Sequence, residues 1–143
     1  MYTIKPKFEY EKDIGIATCT IKCENQEVIG TAKCHPEDQE FMSSITGCYI
    51  AECRAVVKAL KLFKSAELIP SLKALEHYHS YLKQSKQCNK DSYEYKSLCK
   101  EIDRIKKEIR LIDIDIKQEK QYLEDYLKNK DIIHNKIRKV KKQ

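Results

Sequence analysis

The sequence predicts an α+β protein: a small N-terminal antiparallel β-sheet with a covering helix, then an antiparallel helical hairpin with a long C-terminal coiled-coil helix. Three observations predict it. Residues 1–34 alternate apolar and polar side chains between charged turns, the mark of short strands with one face covered. Two following stretches, 49–66 and 71–86, carry apolar residues at steps of three and four, the helical period. The third stretch, from Ser92 to Val140, keeps that period at Leu98, Ile102, Ile105, Ile109, Ile112, Ile116, Glu119, Leu123, Tyr126, Lys130, Ile133, Ile137 and Val140, with no Gly or Pro. The expected division is a sheet-plus-helix head at 1–66 and a helical hairpin and coiled-coil region at 67–143.

The first strand carries Tyr2, Ile4, Phe8 and Tyr10, with Pro6 marking a sheet edge. Glu11-Lys12-Asp13 turns the chain into a second strand, in which Ile14, Ile16, Thr18 and Thr20 share one face and Cys19 and Ile21 the other. Glu24-Asn25-Gln26 is the next turn, and Val28 to Cys34 the third strand, with Gly30 marking a bulge or a close approach. A polar connection through residue 48, punctuated by Pro36 and Gly47, leads to the first helix. Its stripe of Ile50, Cys53, Val57, Leu60 and Phe63 is expected to cover the sheet. Pro70 is expected to limit or kink this helix and to push Ile69 out of the helical region. The second helix lines up Leu72, Leu75, His79 and Leu82. Residues 87–91 break the pattern, and Asp91 or Ser92 is placed to cap the long helix. The short connection predicts antiparallel neighbours.

At about 1.5 Å per residue the long helix would span roughly 70 Å. An apolar stripe of that length predicts a partner helix, from an identical chain. Glu119 and Lys130 interrupt the stripe, so pairing is expected to be firm over its first half and looser beyond.

Charged residues make up 35% of the chain and the net charge is +6, a mild excess suited to an anionic ligand. No stretch is apolar enough to cross a membrane, and the N-terminus does not read as a signal peptide. The seven cysteines, Cys19, Cys23, Cys34, Cys48, Cys53, Cys88 and Cys99, form no C-x-x-C pair and read as reduced thiols of a cytosolic protein. Cys19, Cys23, Cys34 and His35 offer a zinc-like donor set without the turn that a knuckle needs. His35, His77, His79 and His134 lie in no motif with a nucleophile, and no phosphate loop or nucleophile elbow is present. The sequence therefore predicts no enzyme, no catalytic residues, no metal and no cofactor.

Anion binding has the most support. On the long helix Lys106 and Arg110 lie one turn apart beside the stripe, with Arg104 on its other side. Guanidinium groups suit phosphate oxygens because they present a planar fork. Arg54 in the first helix adds a cation, Tyr78 and Tyr81 could stack on a base, and Asn89 could read a base edge. The same flank alternates in sign through Asp103, Lys106, Arg110, Asp113 and Lys117, which also describes an ordinary solvated, salt-bridged face. The basic tail from Lys136 to Lys142 admits nucleic-acid binding or a simple helix C-terminus.

The N-terminal strands, the segment GTAKCHPEDQEF followed by TGCYIAECRAVVKALK, and the long C-terminal helix together resemble the phage Thoeris anti-defence proteins that act as cyclic ADP-ribose sponges. The resemblance implies a viral, non-enzymatic homodimer or higher homo-oligomer in the cytoplasm of the infected bacterial host. Such a protein sequesters a glycocyclic ADP-ribose made by a TIR-domain enzyme, without cleaving it, in a pocket built by two subunits. It implies ligand-binding roles for Arg54, Asn89, Lys106 and Arg110, with Tyr78 or Tyr81 stacking on adenine. Lys106 stands where an arginine is expected, and Arg104 could substitute. A separate site for cyclic oligonucleotides is known for some members of that family. Two rivals remain. One is a nucleic-acid-binding module, since three strands and a helix resemble the latter part of a double-stranded-RNA-binding domain. However, residues 49–53, Tyr-Ile-Ala-Glu-Cys, lack the lysines that its final helix would start with. The other is a structural coiled-coil adaptor. Neither nucleic acid nor a membrane is the expected partner.

Overall fold

The computed structural model describes residues 6–24, 26–33, 44–85 and 89–141, with residues 44 and 130–141 described by backbone alone. Three strands, β1 (Lys7–Glu11), β2 (Ile16–Cys23) and β3 (Gln26–Lys33), form an antiparallel sheet in the order β1-β2-β3. Helix α1 (Ser44–Phe63) passes through a π-helical turn (Lys64–Leu68) into α2 (Ile69–Gln84), and α3 runs from Tyr93 to Lys141. The α+β class and its element order match the sequence reading. The expected strand residues Tyr2, Ile4 and Cys34, and most of the polar connection with Pro36, lie outside the described residues.

The contacts group the chain into two compact units, 1–59 with 116–143, and 60–115. The expected head is thus joined by the C-terminal stretch of α3.

In the first unit the two hairpin turns fix the register. Lys12–Gly15 link β1 to β2, with Gly15 in the left-handed region (φ 64°), and Glu11 pairs with Ile16. Ile14 therefore belongs to the turn and not to the strand. Cys23 pairs with Gln26 across a two-residue turn in which Glu24 has φ 44°, the positive value that tight hairpins need. Paired residues share a face, so Ala17, Cys19, Ile21 and Ala32 form one buried side of the sheet. Thr18, Thr20 and Thr31 occupy the other side.

Helix α1 meets this sheet with its small side chains. Gly47, Ala51, Ala55 and Ala59 are buried at four-residue spacing, and the three alanines belong to the sheet's core. The helix starts at residue 44, earlier than expected, and takes Gly47 into this face. The reason for small residues is visible at Gly30, opposite Cys19 in β3. A Cβ there would come within 2.2 Å of the Ala51 carbonyl oxygen and 2.4 Å of the Ala55 nitrogen. Backbone meets backbone, so Gly30 is a close approach in regular register and not a bulge.

Ile50, at the head of the expected stripe, belongs to the same buried cluster as Ala17, Cys19 and Ile21, and Cys53 is buried as well. A helix advances about 100° per residue, which turns Cys53 to the side opposite Ala51 and Ala55 and leaves Ile50 between the two sides. The alanine face makes the closest cover for the sheet, and of the expected stripe Ile50 joins it. On the other side Tyr49 meets Tyr126 of α3 with ring centroids 4.8 Å apart, and Leu123, Tyr126 and Leu127 pack against the core cluster. Burial holds the Cys53 thiol above its ordinary pKa of 9.0; the hydrogen bond from Tyr49 opposes this, and the neighbouring Glu119 adds to it. Glu119, which interrupted the apolar stripe in the sequence, is therefore a polar partner for a buried thiol. Burial likewise raises Cys19, reinforced by Glu52 and Cys48. The described cysteines 19, 23, 48, 53 and 99 are free thiols; Cys34 and Cys88 lie outside the described residues.

In the second unit Pro70 does not end the helix. Leu68 and Ile69 keep right-handed helical dihedrals (φ −71°, ψ −48° and φ −64°, ψ −46°), and the Ile69 N–H donates to Lys64 O, five residues back. A proline ring collides with the carbonyl four residues earlier and lacks an N–H. The wider π turn absorbs both defects, so Ile69 stays helical, against expectation. Leu72, Leu75, His79 and Leu82 are half-buried along one side of α2. Leu98, Ile102, Ile105 and Ile112 of α3 are buried, as is Leu68. Lys64 Nζ reaches Asp113 Oδ1 at 2.6 Å, and His79 Nε2 lies 3.1 Å from Tyr95 Oη. Low numbers thus meet high ones, as in an antiparallel hairpin. Ser92 is the cap: its Oγ accepts the Tyr95 N–H at 3.2 Å.

The first half of the α3 stripe is thus buried within the chain itself. Full burial of one such isoleucine stabilises by about 2 kcal/mol, enough to make intrachain closure the first use of the stripe. Lys130, Ile133, Ile137 and Val140 fall on residues whose side chains are outside the description.

Two predictions follow from the first unit. Gly30→Ala should destabilise the fold by about 3 kcal/mol, because the obstacle is backbone and cannot rotate away; urea unfolding followed by circular dichroism reads it. The raised thiols Cys19 and Cys53 contribute stability that is whole below about pH 9 and is lost as pH rises towards and through their folded values. The melting temperature should therefore hold up to about pH 9 and fall as the pH rises further. The fall should be shallower in a Cys19→Ala, Cys53→Ala chain.

Candidate functional site

A cleft of about 470 Å³ opens between α2 and α3 of the second unit, within the range of small-ligand sites. Glu76, His79 and Ser80 line it from α2, and Cys99, Ile102, Asp103 and Lys106 from α3. Both helices place these residues by periodicity. Positions 76, 79 and 80 share a face, as do 99, 103 and 106. Ile102 belongs to the buried stripe and forms an apolar floor.

The cleft is polar and mixed in charge. The Lys106 ammonium is 3.9 Å from Glu76 Oε1, with both side chains about half exposed. So long a contact leaves the ammonium able to turn to another anion. Glu76 and Asp103 offer carboxylate acceptors. The His79 ring is fixed by its hydrogen bond to Tyr95 and lies 5.3 Å from that ring, tilted by 31°.

The sequence-predicted residues divide. Lys106 lines the cleft. Arg110 continues the same face, since 99, 103, 106 and 110 are spaced four, three and four apart. It is exposed and has no ionic partner among the described residues. Arg104 points elsewhere: it bonds Glu101 through Nε and Nη2 and Glu108 through Nη1. The Arg104 hydrogen bond pulls Glu101 below its usual carboxylate range, and Glu101 in turn raises Arg104. A guanidinium bound by two carboxylates has little left for a phosphate, so Arg104 is a poor substitute for Lys106. Tyr78 and Tyr81 are exposed. Their positions on α2 turn them away from the face formed by 76, 79 and 80, because two residues advance a helix by about 200°. His79, read from sequence as part of the apolar stripe, is the ring that lines the cleft. Asn89 sits in the turn before α3, where its Oδ1 accepts the Asp91 N–H at 2.9 Å.

Arg54 belongs to the first unit. Its Nη1 donates to Thr31 O at 2.7 Å, and Lys58 Nζ donates to Ile29 O at 2.6 Å. Four residues of helix rise about 6 Å and two residues of strand about 6.7 Å, so the two cations match two carbonyls along β3. Arg54 therefore helps to fasten α1 to the sheet.

Sequence reasoning missed Glu76, Ser80, Cys99 and Asp103. Glu76 lies three residues before His79 and four before Ser80, and Asp103 three before Lys106 and four after Cys99; this spacing was the available signal. Among the described residues no group of three His, Cys, Asp or Glu side chains could hold a metal ion; His35, of the zinc-like set, lies outside them with Cys34. No helix is long and apolar enough to cross a membrane among the described residues.

Comparison of the chain with protein-family models, with curated proteins and with solved structures returned no match.

Proposed function

We propose that this protein is a sponge for a cyclic ADP-ribose-type nucleotide, a glycocyclic ADP-ribose made by a TIR-domain enzyme, which it withholds from a bacterial Thoeris effector without cleaving it. The observation that carries the reading is the α2–α3 cleft, with Lys106 on its wall and Arg110 one turn further on the same face. The two cations suit the diphosphate. Glu76 and Asp103 suit ribose hydroxyls, which donate to carboxylates. The fixed His79 ring offers a surface for a base. Lysine at 106 supplies charge without a fork, so most of the directional phosphate binding falls to Arg110. Sequestration asks for affinity without turnover, and a cleft between helices already packed against each other reduces the ordering cost of binding. A homo-oligomer acting in the infected cell's cytoplasm, and a second site for cyclic oligonucleotides, belong to the same reading.

The coiled-coil adaptor draws no support from the buried stripe, whose first half is occupied within the chain. The nucleic-acid module draws none from Arg54 and Lys58, which are engaged on strand carbonyls.

Calorimetry with glycocyclic ADP-ribose, followed by mass spectrometry of the nucleotide released on heating, tests the proposal. Binding with intact recovery is expected. Arg110→Ala should weaken it by at least about tenfold, the loss of one charge-assisted hydrogen bond, and Lys106→Arg should preserve or tighten it. No binding heat, or recovery of a cleaved product, would overturn the reading.

A further inference from the structure

The two edges of the sheet are treated differently. On β3 the pair Cys23–Gln26 closes a two-residue turn, so hydrogen-bonded pairs alternate from there: 23 with 26, 21 with 28, 19 with 30. The backbone groups of Ile29 and Thr31 therefore point away from β2, to the free edge. Their carbonyls are the ones taken by Lys58 and Arg54. A strand arriving at the middle of β3 would find its acceptors occupied, which is how sheets guard an edge.

The same alternation carried across β2 leaves Thr18 and Thr20 bonded towards Glu9 and Lys7. Phe8 and Tyr10 then point their N–H and C=O groups outward, along the edge that β1 presents. Among the described residues nothing pairs with that edge. Phe8 shares the helix-facing side with Cys19, yet 42% of it remains exposed. The charges on the opposite side run from basic to acidic: Lys7, Glu9, Glu11.

We infer that β1 is an association edge for a second copy of this chain, added antiparallel about a two-fold axis at Phe8. That register sets Lys7 of each copy opposite the partner's Glu9, giving two cross-strand ion pairs on the outer face, and brings the two Phe8 rings together on the other. Both kinds of cross-strand pair stabilise a sheet. The Phe8 N–H and C=O groups bond reciprocally, and the Tyr10 N–H meets the partner's Pro6 carbonyl. Pro6 has no N–H to return, so the ladder is short and the association weak to moderate. A parallel arrangement would instead set like charges side by side. The three-stranded sheet becomes a continuous six-stranded one, with each outer edge a guarded β3. This interface is independent of the nucleotide reading.

Sedimentation equilibrium of the full chain across the micromolar to millimolar range tests it. The wild-type chain should show a reversible monomer–dimer equilibrium. Lys7→Glu sets glutamate against glutamate and should weaken the dimer at least about tenfold, while the reversed pair Lys7→Glu, Glu9→Lys should restore it. Phe8→Pro removes an N–H that bonds only outward and should abolish the dimer while circular dichroism still reports the folded chain. A wild-type chain that stays monomeric throughout overturns the inference. So does a dimer indifferent to Lys7→Glu, or one that the charge reversal fails to rescue.

Discussion

The apolar stripe of α3 must be covered, and the rest of the molecule is arranged by how this is done. Over Leu98 to Ile112 the cover comes from within the unit built by α2 and the π turn. Further along, Leu123, Tyr126 and Leu127 pack on the cluster formed by α1 and the sheet. A charged chain with few large apolar residues in its sheet cannot build a core there alone. The buried sheet face is Ala17, Cys19, Ile21 and Ala32, too small to hold a helix except by close approach. Gly30 and the alanines of α1 supply that approach, and α1's opposite face then meets the aromatic and aliphatic residues of α3.

Two consequences concern chemistry. Because the α3 stripe closes against α2, the polar residues flanking it face one another across a cleft instead of facing solvent singly. Lys106 and Arg110 take their meaning from Glu76, His79 and Ser80 opposite. Because α1 lies so near the sheet, its cations at 54 and 58 reach strand carbonyls. An arginine that the sequence marked as a ligand thus has a structural duty, and the β3 edge is closed by it. The reading as a nucleotide sponge rests on the cleft.

Much of the fold was legible. Strand alternation around Cys19 and Ile21, the stripe at Leu72, Leu75, His79 and Leu82, and the Ser92 cap are local signals that tertiary packing did not override. What was not legible depended on partners in space. The face of α1 that touches the sheet is chosen by the room Gly30 leaves, and a scan for large apolar residues passes over alanines. Pro70 reads as a boundary unless one knows that the preceding turn is free to widen. The α3 stripe shows period but not the identity of what covers it, which over Leu98 to Ile112 is the chain's own hairpin. Within the site, Lys106 and Arg110 were found because charge and spacing are visible in one helix. Glu76 and Asp103 were missed because their convergence needs two. His79 took its role from rotation: a step from Tyr78 to His79 turns a side chain from solvent into the cleft.

The central claim is that α3 is held by its own chain, and amide hydrogen exchange over residues 98–112 measures this most directly. Followed across a hundredfold dilution, from about 100 to about 1 μM, exchange should show the same strong protection at every concentration, because intrachain closure does not depend on concentration. Protection that falls away with dilution would show that a second copy, and not α2, covers the stripe, and would contradict the account.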